Sequence, residues 1–315
     1  MNVHQLSTIN KSLFKNPVVT VGIFDGIHKG HRQVIQVLKE KANEIKGETV
    51  IATLWPHPRM VLFPEKELKL LTTFEEKLKL LEEQNIDHLV ILPFSKEFSQ
   101  VPALKFITQT LLEKIGMKTL VVGFDNHIGH NKEGDFDVIN KASQTYGFEV
   151  FHSSAFYEGV EKISSTDIRV NLELGDVTKV SSFLGYNYSI TGRIVYGRQL
   201  GRTIGFPTAN IQPDELKMLP GVGVYAVKVH TNGLVYNGML NIGFRPTVDN
   251  DSLIKTIEVN LFDFDGNLYE KEITVTFVSH LRSEVKFNGI EELKVQLAKD
   301  RDDALQVLQK SSKFI

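Results

Sequence analysis

The hydrophobic period of the chain changes near residue 185, and the two sides of that change require different folds. From Pro17 to about Leu184, short β-branched runs alternate with stretches in which apolar residues recur every three or four positions. "VVTVGIF", "ETVIATLW", "DHLVILPF", "KTLVVGF" and "FEVFHS" have the composition of strands. "HRQVIQVLKEKANEI", "FEEKLKLLEEQ", "ALKFITQTLLEKI" and "DFDVINKASQTY" have the amphipathic period of helices. Alternation of this kind predicts an α/β domain, a parallel sheet with helices on both faces. After residue 187, "YSITGRIVYG", "GVYAVKVHTN", "LVYNGMLNIG", "KTIEVNLFDFDG" and "EITVTFVSHL" read as strands bounded by Gly, Asn and Asp, and "HTNG" and "DFDGN" read as hairpin turns. Five or six such strands predict a small antiparallel β-barrel, closed by a C-terminal helix over "IEELKVQLAKDRDDALQVLQK". At 315 residues the chain exceeds one core. The expected domains are therefore 1–184 and 185–315.

Charge and residue usage narrow the function. Lys and Arg total 36 against 38 acids, a net charge of -2 with no basic run, which disfavours a nucleic-acid partner while leaving small phosphorylated ligands open. There is no cysteine, which excludes disulfides, thiolate metal sites and cysteine nucleophiles and suits a reducing compartment. "MNVHQLSTINKSLF" lacks the regions of a signal peptide, and no apolar run reaches membrane-spanning length. A cytoplasmic protein with no membrane partner is expected; nothing in the chain specifies an oligomeric state.

Val21 to Ile35, "VGIFDGIHKGHRQVI", lies where the first long strand ends and a helix begins, the place at which open α/β sheets bind ligands. Gly22, Gly26 and Gly30 allow close backbone approach around His28 and His31, and amides at a helix N-terminus attract anions, so a phosphate suits the turn. Two other readings stand beside that one: His-x-x-His as a pair of metal ligands, lacking an evident third, and histidines that only cap the turn. Spacing alone leaves the choice open. Similar signals end the later strands: "WPHPR", "VVGFDNHIGHNKEGD" and "ISSTDIR".

"GIFDGIHKGH", "PHP", "VVGFD…EGD" and "ISSTDIR", in that order, resemble the FMN adenylyltransferase module of bacterial bifunctional riboflavin kinase/FAD synthetases across most of residues 17–184. That module is a Rossmann-like nucleotidyltransferase marked by a His-x-Gly-His turn, here His28, Lys29, Gly30 and His31. The resemblance implies catalytic contacts from His28, His31 and Arg169 to ATP phosphates. It assigns Gly22, Phe24, Asp25, Gly30, Ser164, Ser165 and Thr166 to ATP binding, and Pro56, His57, Pro58 and Asp125 to the flavin side. The implied chemistry needs no protein nucleophile: an FMN phosphate oxygen attacks the α-phosphorus of ATP and pyrophosphate leaves. One stretch departs from the family, whose Asp-Phe-Arg-Phe-Gly is replaced by Asp125, Asn126, His127, Ile128 and Gly129, so the arginine's contact is not carried over.

In the second half, "GRQLGRTIGFPTANI" gathers glycines and then presents Thr208 and Asn210 two residues apart. In an extended segment such residues share a face, so a hydroxyl and an amide oxygen can meet one hard cation; ordinary glycine-rich hairpin chemistry is the alternative. "GRTIGFPTAN", "GVYAV", "NIGFRPTV", "IEVNLFDFDGNLY" and "LRSEVKF" together resemble the riboflavin kinase module over nearly all of 187–300. By that likeness Thr208 and Asn210 hold Mg²⁺ and the ATP phosphates, and Gly197, Gly201, Arg202 and Gly205 shape a phosphate loop. Glu258 is the implied general base for the ribityl 5′-hydroxyl, and Arg282 and Phe287 face the flavin. Without the likeness Glu258 reads as a solvated strand residue. "GVGVYA" from Gly221 imitates a dinucleotide fingerprint but is followed by strand-type residues, and no Walker A, HRD or DFG element occurs. The expectation is an enzyme that uses ATP and Mg²⁺ to convert riboflavin to FMN and FMN to FAD. A kinase-only enzyme and a non-catalytic flavin or nucleotide sensor are the alternatives.

Overall fold

The β-branched runs of the first half become parallel strands, most of them buried on both faces. The computed structural model describes residues 1–124, 128–130, 133–154, 156–158, 161–197, 201, 204–246 and 253–311. By packing, the chain divides into two units, Met1–Ser165 and Thr166–Ile315. In the first, β1 (Asn2–Gln5), β2 (Val18–Gly22), β3 (Thr49–Trp55), β4 (His88–Pro93), β5 (Thr119–Val122) and β6 (Glu149–His152) make one sheet ordered β1-β4-β3-β2-β5-β6, with every pair parallel. Around it run α1 (Lys29–Glu44), α2 (Pro58–Leu62), α3 (Phe74–Glu82), α4 (Ala103–Lys105, continuing as a π-helix over Phe106–Ile115) and α5 (Phe136–Tyr146). A short pair, β7 (Tyr157–Glu158) with β8 (Glu161–Lys162), follows.

Adjacent strand residues point to opposite faces, and here each face has its own core. Val19, Val50, Val90 and Leu120 belong to one apolar cluster, while Val18, Ile51, Leu89 and Val121 belong to the other. The chain builds β2, β3 and β4 toward one side and then crosses back to place β5 beside β2. The order of strands therefore reverses at β2, and the histidine turn leaves the end of that strand. The strand β1 escaped the sequence reading because its four residues are mostly exposed and carry no alternation.

In the second unit, α6 (Ser165–Glu173) and α7 (Val177–Leu184) precede a closed barrel. Its strands are β9 (Ser189–Val195), β10 (Ala209–Pro213), β11 (Gly223–Thr231), β12 (Leu234–Pro246), β13 (Leu253–Leu261) and β14 (Glu272–Arg282). They close in the order β10-β13-β12-β11-β14-β9, all antiparallel, with β9 returning to β10. Closure leaves no unpaired edge to cover. The "HTNG" hairpin turns on Asn232 (φ 50°) and Gly233 (φ 76°), the paired left-handed residues that a type I′ turn requires. Gly221 donates its N–H to the Leu172 carbonyl at 2.7 Å, and a Cβ there would collide with the Glu173 carbonyl, so α6 is fastened to the barrel's own loop. In keeping with that contact, the packing division falls after Ser165, the first residue of α6, although the texture of the sequence changes only after α7.

The final helix, α8 (Ile290–Ser311), lays Ala304 and Leu308 on Ala226, Met239 and Phe262. Leu308 is fully buried there, so Leu308→Ala is expected to destabilise the barrel by about 2–5 kcal/mol, read as a lowered urea midpoint at unchanged slope.

Candidate active sites

Three residues of the turn after β2 adopt left-handed backbone: Phe24 (φ 53°), Gly26 (φ 81°) and Ile27 (φ 38°). Glycine does so freely, whereas an aromatic and a β-branched residue are strained by about 1–3 kcal/mol each. Two things hold them there. The Phe24 and Ile27 side chains are buried in a core with Ile35 and Leu38 of α1. Between them the buried Asp25 carboxylate accepts the N–H groups of Leu71 (3.2 Å) and Thr72 (3.1 Å) and the Thr72 hydroxyl (3.3 Å). The Thr72 oxygen accepts in turn from the Gly26 N–H at 3.2 Å. From below, Lys77 of α3 donates to the Ile23 carbonyl at 2.8 Å.

This clamp fixes where α1 begins. His28 is its N-cap, its Nδ1 accepting the His31 N–H at 3.3 Å. The capping role is thus real, and it leaves Nε2 as the donor nitrogen of that ring. The His28 and His31 rings stack at 3.7 Å with 19° between planes. Ring-nitrogen lone pairs lie in the ring plane, so two parallel rings do not converge on one metal ion. Burial first, then the His28 ring and Lys77, push His31 well below its ordinary value of 6.5. Its buried Nδ1 has no hydrogen-bond partner among the described residues. Both rings line a cavity of about 210 Å³ with Gly22, Phe24 and Gly30, and the loop into α6 adds Ser164 and Ser165. Ser165 is the first residue of α6 and donates to the Asp25 carbonyl at 3.0 Å. Thr166 and Arg169 follow along α6. Lys162 and Phe124 also line this cavity and were not singled out from the sequence; Lys162 had only its place two residues before "SSTDIR" to mark it.

A second cavity in this unit, about 640 Å³, is apolar: Val21, Ile23, Leu62, Phe63, Phe98 and Phe106 form its walls, with Pro58. His57, buried beside it, caps α2 by accepting the Arg59 N–H at 3.1 Å, and Pro56 precedes it. Ile23 lines both cavities. Asp125, with Asn126 and His127 of the departing motif, lies outside the described residues; Ile128 and Gly129 of that motif are on the apolar cavity's wall.

In the barrel, Glu258 of β13 stands opposite Asn210 of β10 and Asn241 of β12, so register alone brings it to Asn210 across 48 residues of chain. Thr208, just before β10, donates its hydroxyl to the Glu258 carboxylate at 3.2 Å. Gly201, Thr208, Asn210, Glu258, Arg282 and Phe287 line one cavity of about 300 Å³. Thr208 also lines a second of about 600 Å³, with Asp265, Leu268 and Tyr269. A Cβ on Gly197 would collide with the Asn210 amide, which explains glycine at that position. Gly205 has φ 85°, open to glycine without strain. Arg202 lies outside the described residues. The Arg282 guanidinium is committed to Asp300 of α8 by a fork of two bonds, 2.8 and 2.7 Å, and lies 5.9 Å from the Phe287 ring centre. Asp300 and Asn241 also line this cavity; neither carried a sequence signal, because only barrel register and helix docking bring them in.

The His31 imidazole is expected to stay neutral as pH falls through 6.5, read by heteronuclear NMR titration of the ring; a midpoint at or above 6.5 would contradict its burial.

Comparison with known proteins divides the chain in the same way. A family model described as FAD synthetase matches residues 10–167, and one described as riboflavin kinase matches residues 184–308. A bifunctional riboflavin kinase/FMN adenylyltransferase of Haemophilus influenzae is 37% identical over 91% of this chain and 92% of its own. One of Bacillus subtilis is 39% identical over 92% of each. A Streptococcus pneumoniae protein solved as a macrolide-efflux protein superposes with a TM-score of 0.87 at 28% identity, over 96% of this chain and 98% of that one. The efflux description stays with that protein; among the described residues here, no helix is long and apolar enough to cross a membrane. By the agreement of both halves over nearly its whole length, this chain belongs to the bifunctional riboflavin kinase/FMN adenylyltransferase family.

Proposed function

We propose that the protein makes FAD in two ATP-dependent steps, the barrel phosphorylating riboflavin to FMN and the α/β unit adenylylating FMN to FAD. The observation that carries this reading is a repeated one: each unit has two cavities with one lining residue in common, Thr208 in the barrel and Ile23 in the α/β unit. Two substrates seated in such a pair meet at the shared residue, as a bimolecular transfer requires.

In the barrel, riboflavin occupies the cavity lined by Phe287 and Arg282, with Asp300 fixing the guanidinium, and ATP lies on the Tyr269 side of Thr208. Glu258 takes the proton of the ribityl 5′-hydroxyl as its oxygen bonds to the γ-phosphorus, and ADP leaves. The oxygen donors gathered here fit a hard cation: the Thr208 hydroxyl and the Asn210 amide would hold Mg²⁺, with most ligands left to the nucleotide. When bound, Mg²⁺ neutralises charge on the transferring phosphates.

In the α/β unit the isoalloxazine lies in the apolar cavity beside Pro56, His57 and Pro58, and the ATP phosphates lie against the start of α1. His28 and His31 donate through their rings, the His31 ring neutral because it is buried, alongside the amides of the α1 N-terminus and the hydroxyls of Ser164 and Ser165. Arg169 and Thr166 complete the motif. Gly22, Phe24 and Asp25 act by holding the turn, Asp25 through its bonds to Leu71 and Thr72. The FMN phosphate attacks the α-phosphorus and pyrophosphate leaves, with no covalent enzyme intermediate. Functionally we set the domain boundary at 184/185, which keeps the whole "ISSTDIR" motif with the first activity. ATP as co-substrate supports a cytoplasmic location.

The two sites are separable by substitution. Hydrogen bonds to charged phosphate contribute about 1.5–3 kcal/mol each, so His31→Ala is expected to slow FAD formation by at least about tenfold while sparing FMN formation. Glu258→Gln should slow FMN formation by about 10²–10⁴-fold and leave FAD formation from supplied FMN intact. Chromatographic separation of riboflavin, FMN and FAD reads both; loss of both activities from either substitution in folded protein would sink the two-site assignment.

A further inference from the structure

Lysine is among the residues least often buried, and a buried one needs a partner or a use. Lys77 of α3 is 2% exposed. Its ammonium donates to the Ile23 carbonyl at 2.8 Å and lies 5.2 Å from the centre of the Trp55 ring. The Thr53 hydroxyl donates to the same carbonyl at 3.2 Å. Ile23 is the residue common to the nucleotide cavity and the apolar cavity. A positive charge is therefore held under the backbone joint between the two.

Holding that carbonyl does not by itself require a charge, because Thr53 already supplies a donor. What lysine adds at position 77 is a cation in a region of low dielectric. On the adenylyltransferase reading, the joint is where two anions approach, the FMN phosphate and the α-phosphate of ATP. Their mutual repulsion opposes the reaction, and a fixed, preorganised positive charge reduces it without reorganising at the moment of transfer.

We infer that Lys77 is a positioning residue for adenylyl transfer, which pins the Ile23 carbonyl at the joint of the two cavities and holds a positive charge behind the meeting point of the two phosphates. The inference rests on the proposed role of this unit and goes beyond it, since Lys77 lies outside the stretches that carry the family resemblance. It acts through Ile23 and through space.

The charge is conditional on pH. Burial lowers the Lys77 ammonium from 10.5 to about 8, with Asp25 opposing the shift. The other titratable group acting with it is His31 of α1, which is neutral in this range. Thr53 and Trp55 of β3 carry no charge, and the neighbouring Glu76 on α3 itself is bonded to the Thr73 N–H in a capping box. Below about 8 the cation is present, and above it the cation is lost.

The experiment measures FAD formation from FMN and ATP with the full chain across pH 6–10, and FMN formation from riboflavin in the same preparations. The wild-type rate of FAD formation should fall as pH rises through about 8. Lys77→Met should lose about tenfold or more in kcat at neutral pH and lack that limb, with FMN formation unchanged. Lys77→Arg, charged throughout, should recover part of the rate and also lack the limb. Thr53→Val should keep the limb whatever its rate. A wild-type profile without the limb, a Lys77→Met protein with wild-type rate and profile, or a Lys77→Arg protein that keeps the limb would each overturn the inference, and the first and last need no Met variant that folds. Absence of any FAD formation by the wild type would instead refute the adenylyltransferase reading.

Discussion

The Asp25 carboxylate, held by the amides of Leu71 and Thr72 and by the Thr72 hydroxyl, is the constraint on which the first site depends. Together with core packing, it ties the turn that holds Phe24 and Ile27 in left-handed backbone to the segment before α3. With it, the strand that ends at Gly22 is turned so that His28 caps α1, His31 stacks on His28, and the helix amides face the cavity. The acid is buried, and these bonds to two backbone amides and a hydroxyl shape the turn. Strain stored in the turn is set against core burial and these hydrogen bonds, an arrangement common where backbone must approach a phosphate closely.

The barrel reaches a comparable result by register. In a closed antiparallel sheet, which residues face one another follows from strand pairing, and that pairing puts Asn210, Glu258 and Asn241 side by side. Thr208 then bonds Glu258 from just before β10, and glycine at 197 leaves room for the Asn210 amide. Helix α8 packs against β11, β12 and β14 and supplies Asp300 to Arg282, so a side chain from the last secondary-structure element orients one from the last strand. The two units use unrelated architectures, yet each offers paired cavities that share a single residue.

Much of this was legible in the chain. The five strands and four helices of the first half, the barrel's "HTNG" hairpin and its closing helix follow from period and turn chemistry, because both faces of the sheet and the seam between α8 and the barrel are apolar. The expected "DFDGN" hairpin does not form: β13 pairs with β10 and β12, and β14 with β9 and β11, so that turn joins strands that are not neighbours. The exposed edge strand β1 has no such pattern and was not legible. Of the site residues, those in compact motifs could be singled out: His28 and His31, Ser164 and Ser165, Thr208 and Asn210. The choice among capping, phosphate and metal for the histidines could not be made from spacing, since it depends on ring orientation. Glu258 could be picked out only through family likeness, for a single acid in an alternating strand has no local signature. Lys77, Lys162 and Asp300 lacked even that help.

Local sequence therefore determined the elements and their order, because hydrophobic period and turn residues act over a few positions and need no distant partner. It also determined which short stretches can bind phosphate, since glycines, hydroxyls and histidines at helix starts carry that chemistry wherever they fold. Tertiary structure alone decided which of these stretches share a site, which nitrogen of His28 is spent on the helix, and why a lysine lies buried beneath Ile23. Those outcomes depend on contacts between residues tens of positions apart, on strand register and on burial, and the physical interactions that produce them exist only once the chain has closed around them.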